Sequence, residues 1–475
     1  MNVLIVNTNR HTMPVPVMPV GACMVADAAA RAGHEVRFLD CAFEKDPLRA
    51  LARELGKSVP DVVGLSIRNI DNNDVHNPTC FIKGLRSLIV AIRNATGAAI
   101  VLGGAAVAVM PEEIMRYTGV HCAVLGDGEV VFPRVLAALE SGASLQHIPG
   151  IAWIERGRFR KNPCLASLQS ESCAAPDFPR WIAIKTYTSR LATVPLQTKL
   201  GCQFKCIYCT YNKIEGSTYR LFSPGSVAAA VGKFASLGFH DIEFVDNVFN
   251  APYEHALAVC DALARSRPRV RLQSLELNPL FLDDALITGM ERAGFTAAGI
   301  TVESASDAVL AGLGKNFSAR HVYNVAEVMR RHRLPCLWIF LLGGPGETQE
   351  TVKETLRFAT TAVRSDDAVF FNIGIRIYPG TPLEAIARKQ GLLSLSPQEM
   401  LESVFYISPE VSYNWIAREI QEAMNTHMNF ICSDSIGLPF LPSLHRMGYR
   451  LGIRPPLWRY TRFIRRGLRL AGMRV

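Results

Sequence analysis

Two long stretches of this chain alternate short apolar runs with longer amphipathic ones, and a less regular segment separates them. In the first, apolar runs at 3–6, 35–39, 62–67, 99–102 and 122–125 read as buried strands. The stretches 21–32 and 81–94 between them carry helical apolar spacing. That order predicts an α/β fold with a doubly wound, Rossmann-like parallel sheet over 1–141. In the second stretch, 194–391, strand-like runs at 195–199, 242–245, 271–277, 298–301, 336–342 and 370–377 again alternate with helical ones, which suits a partial (β/α)6 barrel. The connector, 142–193, holds the hairpin-like Gly150-Ile-Ala-Trp-Ile-Glu-Arg-Gly-Arg-Phe159 and several prolines, and 392–475 reads as mainly helical.

Both sheet types place ligands at the carboxyl ends of their strands. In the first, those ends carry Asn7-Thr-Asn-Arg-His-Thr-Met-Pro14, Ser66-Ile-Arg-Asn69, Gly103-Gly104 and Gly126-Asp-Gly-Glu129. The last opens a helix, so its backbone N–H groups suit a phosphate. In the second, the loop after the first strand reads Leu200-Gly-Cys-Gln-Phe-Lys-Cys-Ile-Tyr-Cys-Thr210. Cys202, Cys206 and Cys209 form a C-x3-C-x2-C triplet, able to hold three irons of a four-iron cluster and to leave the fourth open. Structural zinc needs four ligands, and no second Cys or His pair follows at zinc spacing. The other nine of the twelve cysteines show no ligand-like spacing and read as small buried residues.

A length of 475 residues suggests about three domains, and 49% hydrophobic residues allow a large core. No apolar run reaches the roughly 18 residues of a membrane span. The N-terminus reads as a first strand and not a secretory signal, which with the scattered cysteines points to a reducing cytoplasm. The net charge of +9 is matched by residues 446–475, where nine arginines and no Asp or Glu occur. Pro455-Pro456 precedes a stretch in which Leu457, Thr461, Ile464, Leu468 and Ala471 share one helical face and Arg459, Arg462, Arg466 and Arg469 another. A basic amphipathic helix carrying Trp458 and Phe463 suits peripheral contact with an anionic membrane, packing on the barrel or contact with RNA. Membrane contact is the favoured expectation, at the inner face of the membrane, and nucleic acid is not expected as a partner.

Tyr208, directly before the third cysteine, completes a segment that resembles the radical S-adenosylmethionine superfamily. Asp246-Asn247, Glu303-Ser304, Gly343-Gly-Pro-Gly-Glu-Thr348 and Tyr378-Pro-Gly-Thr-Pro-Leu383 follow in order at successive strand ends and resemble that superfamily's further elements. The resemblance implies that Asp246 and Asn247 lie near the methionine amine, and Glu303 and Ser304 near the carboxylate or ribose. Gly343, Gly344, Pro345, Gly346 and Glu347 would shape the adenine pocket, with Tyr378 beyond. Glu276 and Asn278, at the third barrel strand, contact S-adenosylmethionine, approach the open iron or satisfy neighbouring backbone.

The preceding α/β domain with its Gly-Asp-Gly-Glu turn resembles the cobalamin-binding domain of the cobalamin-dependent radical S-adenosylmethionine methyltransferases. This resemblance covers about residues 1–390. It implies three cofactors, a [4Fe-4S] cluster, S-adenosylmethionine and cobalamin, with Gly103, Gly104, Gly126, Asp127, Gly128 and Glu129 around the last. The family's D-x-H-x-x-G motif departs here to Asn9-Arg-His-Thr-Met-Pro14, so His11 is either a cobalt ligand or a loop histidine. Arg68 or Asn69 could cover the cobalt instead, unless Arg68 pairs with Asp71 or Asp74. The implied reaction is methyl transfer to carbon, with a 5′-deoxyadenosyl radical opening an unactivated C–H bond and a reductase, flavodoxin or ferredoxin as electron donor. In length and in the 11–21 loop the chain looks most like hopanoid C-3 methylases, which implies a hydrophobic, lipid substrate. The alternatives are a heteroaromatic or natural-product methyl acceptor, a cobalamin-dependent ring-forming or ring-contracting enzyme, and a tRNA-modifying enzyme.

Overall fold

Two seven-stranded sheets dominate this computed structural model, which describes residues 1–164, 173, 175–433 and 441–470. One of them is built from the earlier part of the chain. Its strands β1 (Asn2–Asn7), β2 (Glu35–Asp40), β3 (Val62–Ser66), β4 (Ala99–Gly103) and β5 (Cys122–Val124) run parallel in the order β2-β1-β3-β4-β5. The order reverses between β1 and β3, which opens a crevice at their carboxyl ends. The expected hairpin forms as β6 (Ile151–Glu155) and β7 (Arg158–Lys161) and adds two antiparallel strands to the edge, so this sheet continues past residue 141.

The second sheet consists of β8 (Val194–Leu196), β9 (Asp241–Phe244), β10 (Arg271–Leu277), β11 (Phe295–Glu303), β12 (Cys336–Leu342), β13 (Ala368–Ile373) and β14 (Phe430–Cys432). Helices cover its outer face, and β12 reads Cys-Leu-Trp-Ile-Phe-Leu-Leu without polar alternation because it is buried on both sides. Two expectations change here. The sixth strand ends at Ile373, since Gly374 turns the chain through a φ of 79°. The C-terminal region is not only helical: β14 joins β13 in parallel, making the six-stranded barrel seven-stranded. Of the nine cysteines outside the triplet, Cys164 is exposed, and Cys80, Cys122 and Cys173 are only partly buried.

The connector belongs to the core. Phe178 stacks on Phe234 at 5.8 Å, and Trp181 lies against Phe38 at 6.1 Å. The Trp181 indole N–H donates to Asp27 (2.7 Å) and the Tyr187 hydroxyl to Asp40 (2.7 Å). One hydrophobic core therefore runs from Val3 and Ile5 of the first sheet, through Phe178 and Tyr187, to Phe244 and Ile300 of the second. At the opposite rim, the loop after β3 reaches the barrel. Asp71 accepts from Arg376 Nε at 2.8 Å, with both side chains no more than 2% exposed, and the Arg376 guanidinium also donates to the Ile377 and Met400 carbonyls.

The C-terminal helix Thr461–Leu470 differs from its expected arrangement. Arg465 faces inward and donates to the carbonyls of Met424, His427 and Phe430, and Arg469 to those of Met424 and Asn425. Two arginines thus cap the carbonyl end of the helix Tyr413–Thr426, where cations are favoured. Phe463 and Leu470 are exposed, as is Ile464. Ala471 lies outside the described residues. Among the described residues no helix is long and apolar enough to cross a membrane.

Removing one partner of a buried ion pair leaves an uncompensated charge in the interior, at a cost of about 3–5 kcal/mol. Arg376→Met and Asp71→Asn should each lower unfolding stability by about that much, read as a reduced urea midpoint for the whole chain.

Candidate active site between the two domains

The cysteine loop has no regular structure of its own and is held by its backbone. Gly201 N donates to Glu215 Oε2 (3.0 Å), Cys202 N to the Gly216 carbonyl (3.2 Å) and Ile207 N to the Leu313 carbonyl (3.1 Å). The Ile207 carbonyl in turn accepts from Leu383 N (3.1 Å), so elements beyond three different barrel strands fix the loop. Gly201 has a φ of +86°, and a Cβ there would sit 2.1 Å from the Thr218 carbonyl oxygen. No side chain fits at this entrance to the triplet.

With the backbone tied outward, the sulfur atoms meet only nearby main-chain N–H groups, Phe204 at Cys202 and Tyr211 at Cys209. Burial, followed by the neighbouring Cys206 and Cys202, pushes the Cys209 thiol up to about 11, and burial likewise raises Cys202. Among the described residues no three His, Cys, Asp or Glu side chains already converge as a cation cage. The donor set itself is three thiols on one short loop, which fits the three protein-bound irons of a four-iron cluster.

Around the loop, the expected residues divide. Asp246 is buried and directed at the backbone: its carboxylate accepts from Thr198 N (2.8 Å), Thr198 Oγ1 (2.9 Å) and Lys199 N (3.1 Å), with Lys199 Nζ at 3.7 Å. It positions the strand that enters the loop. Asn247 donates to Glu215 Oε2 (2.7 Å), while its own Oδ1 is buried with no hydrogen-bond partner. An orphaned buried acceptor, joined through Glu215 to the start of the cysteine loop, suits an ammonium donor such as that of S-adenosylmethionine. Glu303, at a φ of +62°, accepts from Lys315 Nζ (2.9 Å) and from the Tyr208 hydroxyl, and Lys315 also donates to Tyr208 at 2.8 Å. Ser304 points away into the protein, paired with Thr355 Oγ1 (3.0 Å). Glu347 folds back on its own loop, accepting from Gly343 N (3.1 Å) and Thr351 Oγ1 (2.8 Å). Gly344, Pro345 and Gly346 pack against the helix Asp307–Gly312, and Tyr378 lies under the Arg376 guanidinium at 4.8 Å. Asn278 caps the turn after β10 through Leu280 N (2.9 Å) and so satisfies backbone.

On the other side of the cleft, the loops after β1 and β3 carry His11 and Arg68. Asn9 Oδ1 accepts from the His11 main-chain N–H (3.1 Å) and does not orient the imidazole, whose pKa is lowered by burial and by Arg68. Asp71 is taken by Arg376, so it is not the partner of Arg68. With the Asn69 amide oriented so that both its ends are paired, its oxygen accepts from Arg68 at 3.1 Å. Solvent reaches Arg68 and Tyr211, yet protein crowds both, as in a water-filled cleft, and desolvation lowers the Arg68 pKa. Tyr211 follows the cysteine loop and feels both Arg68 and Glu276. Glu276 accepts from Thr301 Oγ1 (2.9 Å), and burial pushes it up to about 7.

A cavity of about 430 Å³ opens beside this cleft. Ser66, Gly103, Gly104 and the turn Gly126-Asp-Gly-Glu129 form one wall, and Leu196, Gln197, Glu215 and Arg220 of the barrel the other. At Gly104, with a φ of +99°, a Cβ would meet the Ile67 carbonyl oxygen at 2.5 Å. The volume and mostly apolar walls fit an organic group of nucleotide size, as on the tail of cobalamin.

The chain matches the B12 binding domain family over residues 7–136 and the Radical SAM superfamily over residues 197–359. It is a cobalamin-dependent radical S-adenosylmethionine methyltransferase. The fold matches that of the radical S-adenosylmethionine methyltransferase TsrM from Kitasatospora setae, solved with cobalamin and a [4Fe-4S] cluster bound, at a TM-score of 0.87, 22% identity and 99% coverage of each chain. A methyltransferase of Pyrococcus horikoshii is 24% identical over 381 residues, 79% of each chain. The tryptophan 2-C-methyltransferase of Streptomyces laurentii is 23% identical over 436 residues, 78% of this chain and 72% of that one.

This methyltransferase therefore uses all three expected cofactors. Sequence reading missed Glu215, Lys199, Lys315, Arg220 and Tyr211. Glu215 and Tyr211 lie within a few residues of the triplet, a signal that could have drawn attention to them. Lys315 carries no local pattern that announces its partners.

Two tests follow from this geometry. Cys206→Ala should leave the loop's backbone ties intact while anaerobically reconstituted protein loses its cluster iron and sulfide. Glu347 is fully buried and its proton persists to about pH 7, against 4.5 for an ordinary glutamate. Between those values the folded chain holds a proton that the unfolded chain has lost, so stability falls as pH rises. Glu347→Gln should flatten that slope by on the order of 3 kcal/mol, read from urea midpoints at both ends of the window.

Proposed function

We propose that this methyltransferase methylates a ring carbon of a small heteroaromatic molecule held in the cleft between the two domains. The observation that carries this reading is the polarity of the cleft: Arg68 from one domain faces Tyr211 from the other, and Tyr211 in turn feels Glu276. A polycyclic hydrocarbon would desolvate these groups further and offer them no hydrogen bond in return, whereas a ring bearing N–H and ionised substituents can pair with them. Similarity to a tryptophan methyltransferase over most of both chains supports the same class.

When bound, S-adenosylmethionine supplies the methyl group, cobalamin relays it, and the cluster anchors the amino-acid end of S-adenosylmethionine. Asn247 Oδ1 would accept from the ammonium of that end, while Lys315 and Glu303 fix Tyr208 in the cysteine loop. Arg68 stands at the strand ends where the cobalt would lie, its positive charge opposing a further cationic centre. Replacing hydrogen by methyl on an aromatic carbon releases a proton, and Glu276, titrating near neutrality, accepts it. Glu276→Gln should lower turnover by about 10²-fold or more while binding of both organic cofactors persists.

A hopanoid substrate is the second reading. It is supported by the 11–21 loop and by apolar residues exposed near the C-terminus, Leu451, Phe463 and Leu470, which suit peripheral contact with a membrane. That reading requires a reductase, flavodoxin or ferredoxin and yields 5′-deoxyadenosine. The two separate in one experiment: cofactor-loaded protein, methyl-labelled S-adenosylmethionine, and either indoles including tryptophan or total bacterial lipid. Label in a heteroaromatic product without stoichiometric 5′-deoxyadenosine is expected. Label in a triterpenoid with 5′-deoxyadenosine would replace this reading with the lipid one.

A further inference from the structure

Arg220 links the barrel, near the cysteine loop, to the Gly-Asp-Gly-Glu turn of the first domain. It lies on a two-residue antiparallel ladder in which Arg220 opposes Leu200, two residues ahead of Cys202. Its guanidinium grips Asp127 through both Nη atoms, with Nη2 to Oδ1 at 3.0 Å, and Nη2 also donates to the Glu215 carbonyl at 3.2 Å. Only about a sixth of either side chain is exposed, 16% for Arg220 and 15% for Asp127. Asp127 stands at the head of the helix Gly128–Ser141, yet its carboxylate makes no capping bond there and is spent across the domain boundary.

From Glu215 the connection continues to the cysteine loop. The Glu215 carboxylate accepts from Gly201 N, Asn247 Nδ2 and Gln197 Nε2, and the next residue, Gly216, accepts from Cys202 N. Asp127, Gln197, Glu215 and Arg220 all line the 430 Å³ cavity. One set of bonds therefore closes that cavity at one end and orients Asn247 and the base of the cysteine loop at the other.

We propose that the Arg220–Asp127 pair couples the two cofactor sites, so that cobalamin and S-adenosylmethionine strengthen each other's binding. The two states are the seam closed and the seam opened at this pair. Cobalamin favours the closed state because the cavity walls come from both domains. S-adenosylmethionine favours it because Asn247 and the loop are then held through Glu215. Each ligand biases the same equilibrium, so the coupling is reciprocal. A bidentate guanidinium suits such a joint better than an ammonium, since it fixes an orientation as well as a distance. The inference rests on the cofactors of the preceding sections and not on the identity of the methyl acceptor.

The test is a binding cycle on cluster-loaded full-length protein without reductant or methyl acceptor. Labelled S-adenosylhomocysteine, which donates no methyl group, is titrated by equilibrium dialysis with and without saturating hydroxocobalamin. In the native protein cobalamin should tighten the probe by about 5-fold or more, and the probe should tighten cobalamin by the same factor. Arg220→Met and the isosteric Asp127→Asn should each bring that factor near one, and Arg220→Lys should leave it in between. If Arg220→Met does not fold, Asp127→Asn carries the test alone. A native protein without coupling, or variants that retain the native factor, would overturn the proposal. Since nothing is methylated, a wrong methyl acceptor does not alter the result.

Discussion

Iron needs sulfur atoms that no other group has claimed, on a loop that makes no helix or strand to hold it still. The structure meets both demands by tying the main chain of the loop outward, to Glu215, Gly216, Leu313 and Leu383, and leaving the thiols aside. Much of the surrounding chemistry follows from this. Asp246 spends its charge on Thr198 and Lys199 because the strand entering the loop must be fixed before the loop can be. Gly201 is a glycine because the chain crosses Thr218 within van der Waals distance there. Lys315 is buried beside Tyr208 and Glu303, where its charge holds together the aromatic residue before Cys209 and the carboxylate at the end of β11.

Local patterns made the fold legible. Strands buried on both faces leave continuous apolar runs, and β12 was visible for that reason; strand-end glycines and the cysteine spacing are equally short-range. What stayed hidden depends on partners distant in sequence. Arg220 and Asp127 are 93 residues apart, and Asp71 and Arg376 are separated by 305. No periodicity links such pairs. A residue type with two uses is harder to read: Asp246 accepts from backbone of the strand entering the loop, and of the C-terminal arginines Arg465 and Arg469 are spent on carbonyls, although Arg469 was expected on a membrane-facing stripe. Strand β14, Phe430–Cys432, escaped notice because it follows the helix Tyr413–Thr426 in a stretch that otherwise reads as helical, outside the alternation of strands and helices.

Placement of charge organises the cleft as firmly as packing does. Arg68, Tyr211 and Glu276 come from three separate elements and meet only because the sheet ends of two domains face each other. Each has a pKa displaced by its crowded surroundings, which is common where charge must be ready for chemistry. The same facing arrangement leaves the neighbouring cavity with walls from both domains.

The buried connector has an evolutionary consequence. Phe178, Trp181 and Tyr187 complete a core shared by both sheets, and their polar atoms are anchored on Asp27 and Asp40 of the first. Exchange of one domain between relatives at a cut inside 175–193 would break contacts on both sides at once. The two domains are therefore expected to be inherited together, changing their shared face in step, while the outer helices and the C-terminal surface drift independently.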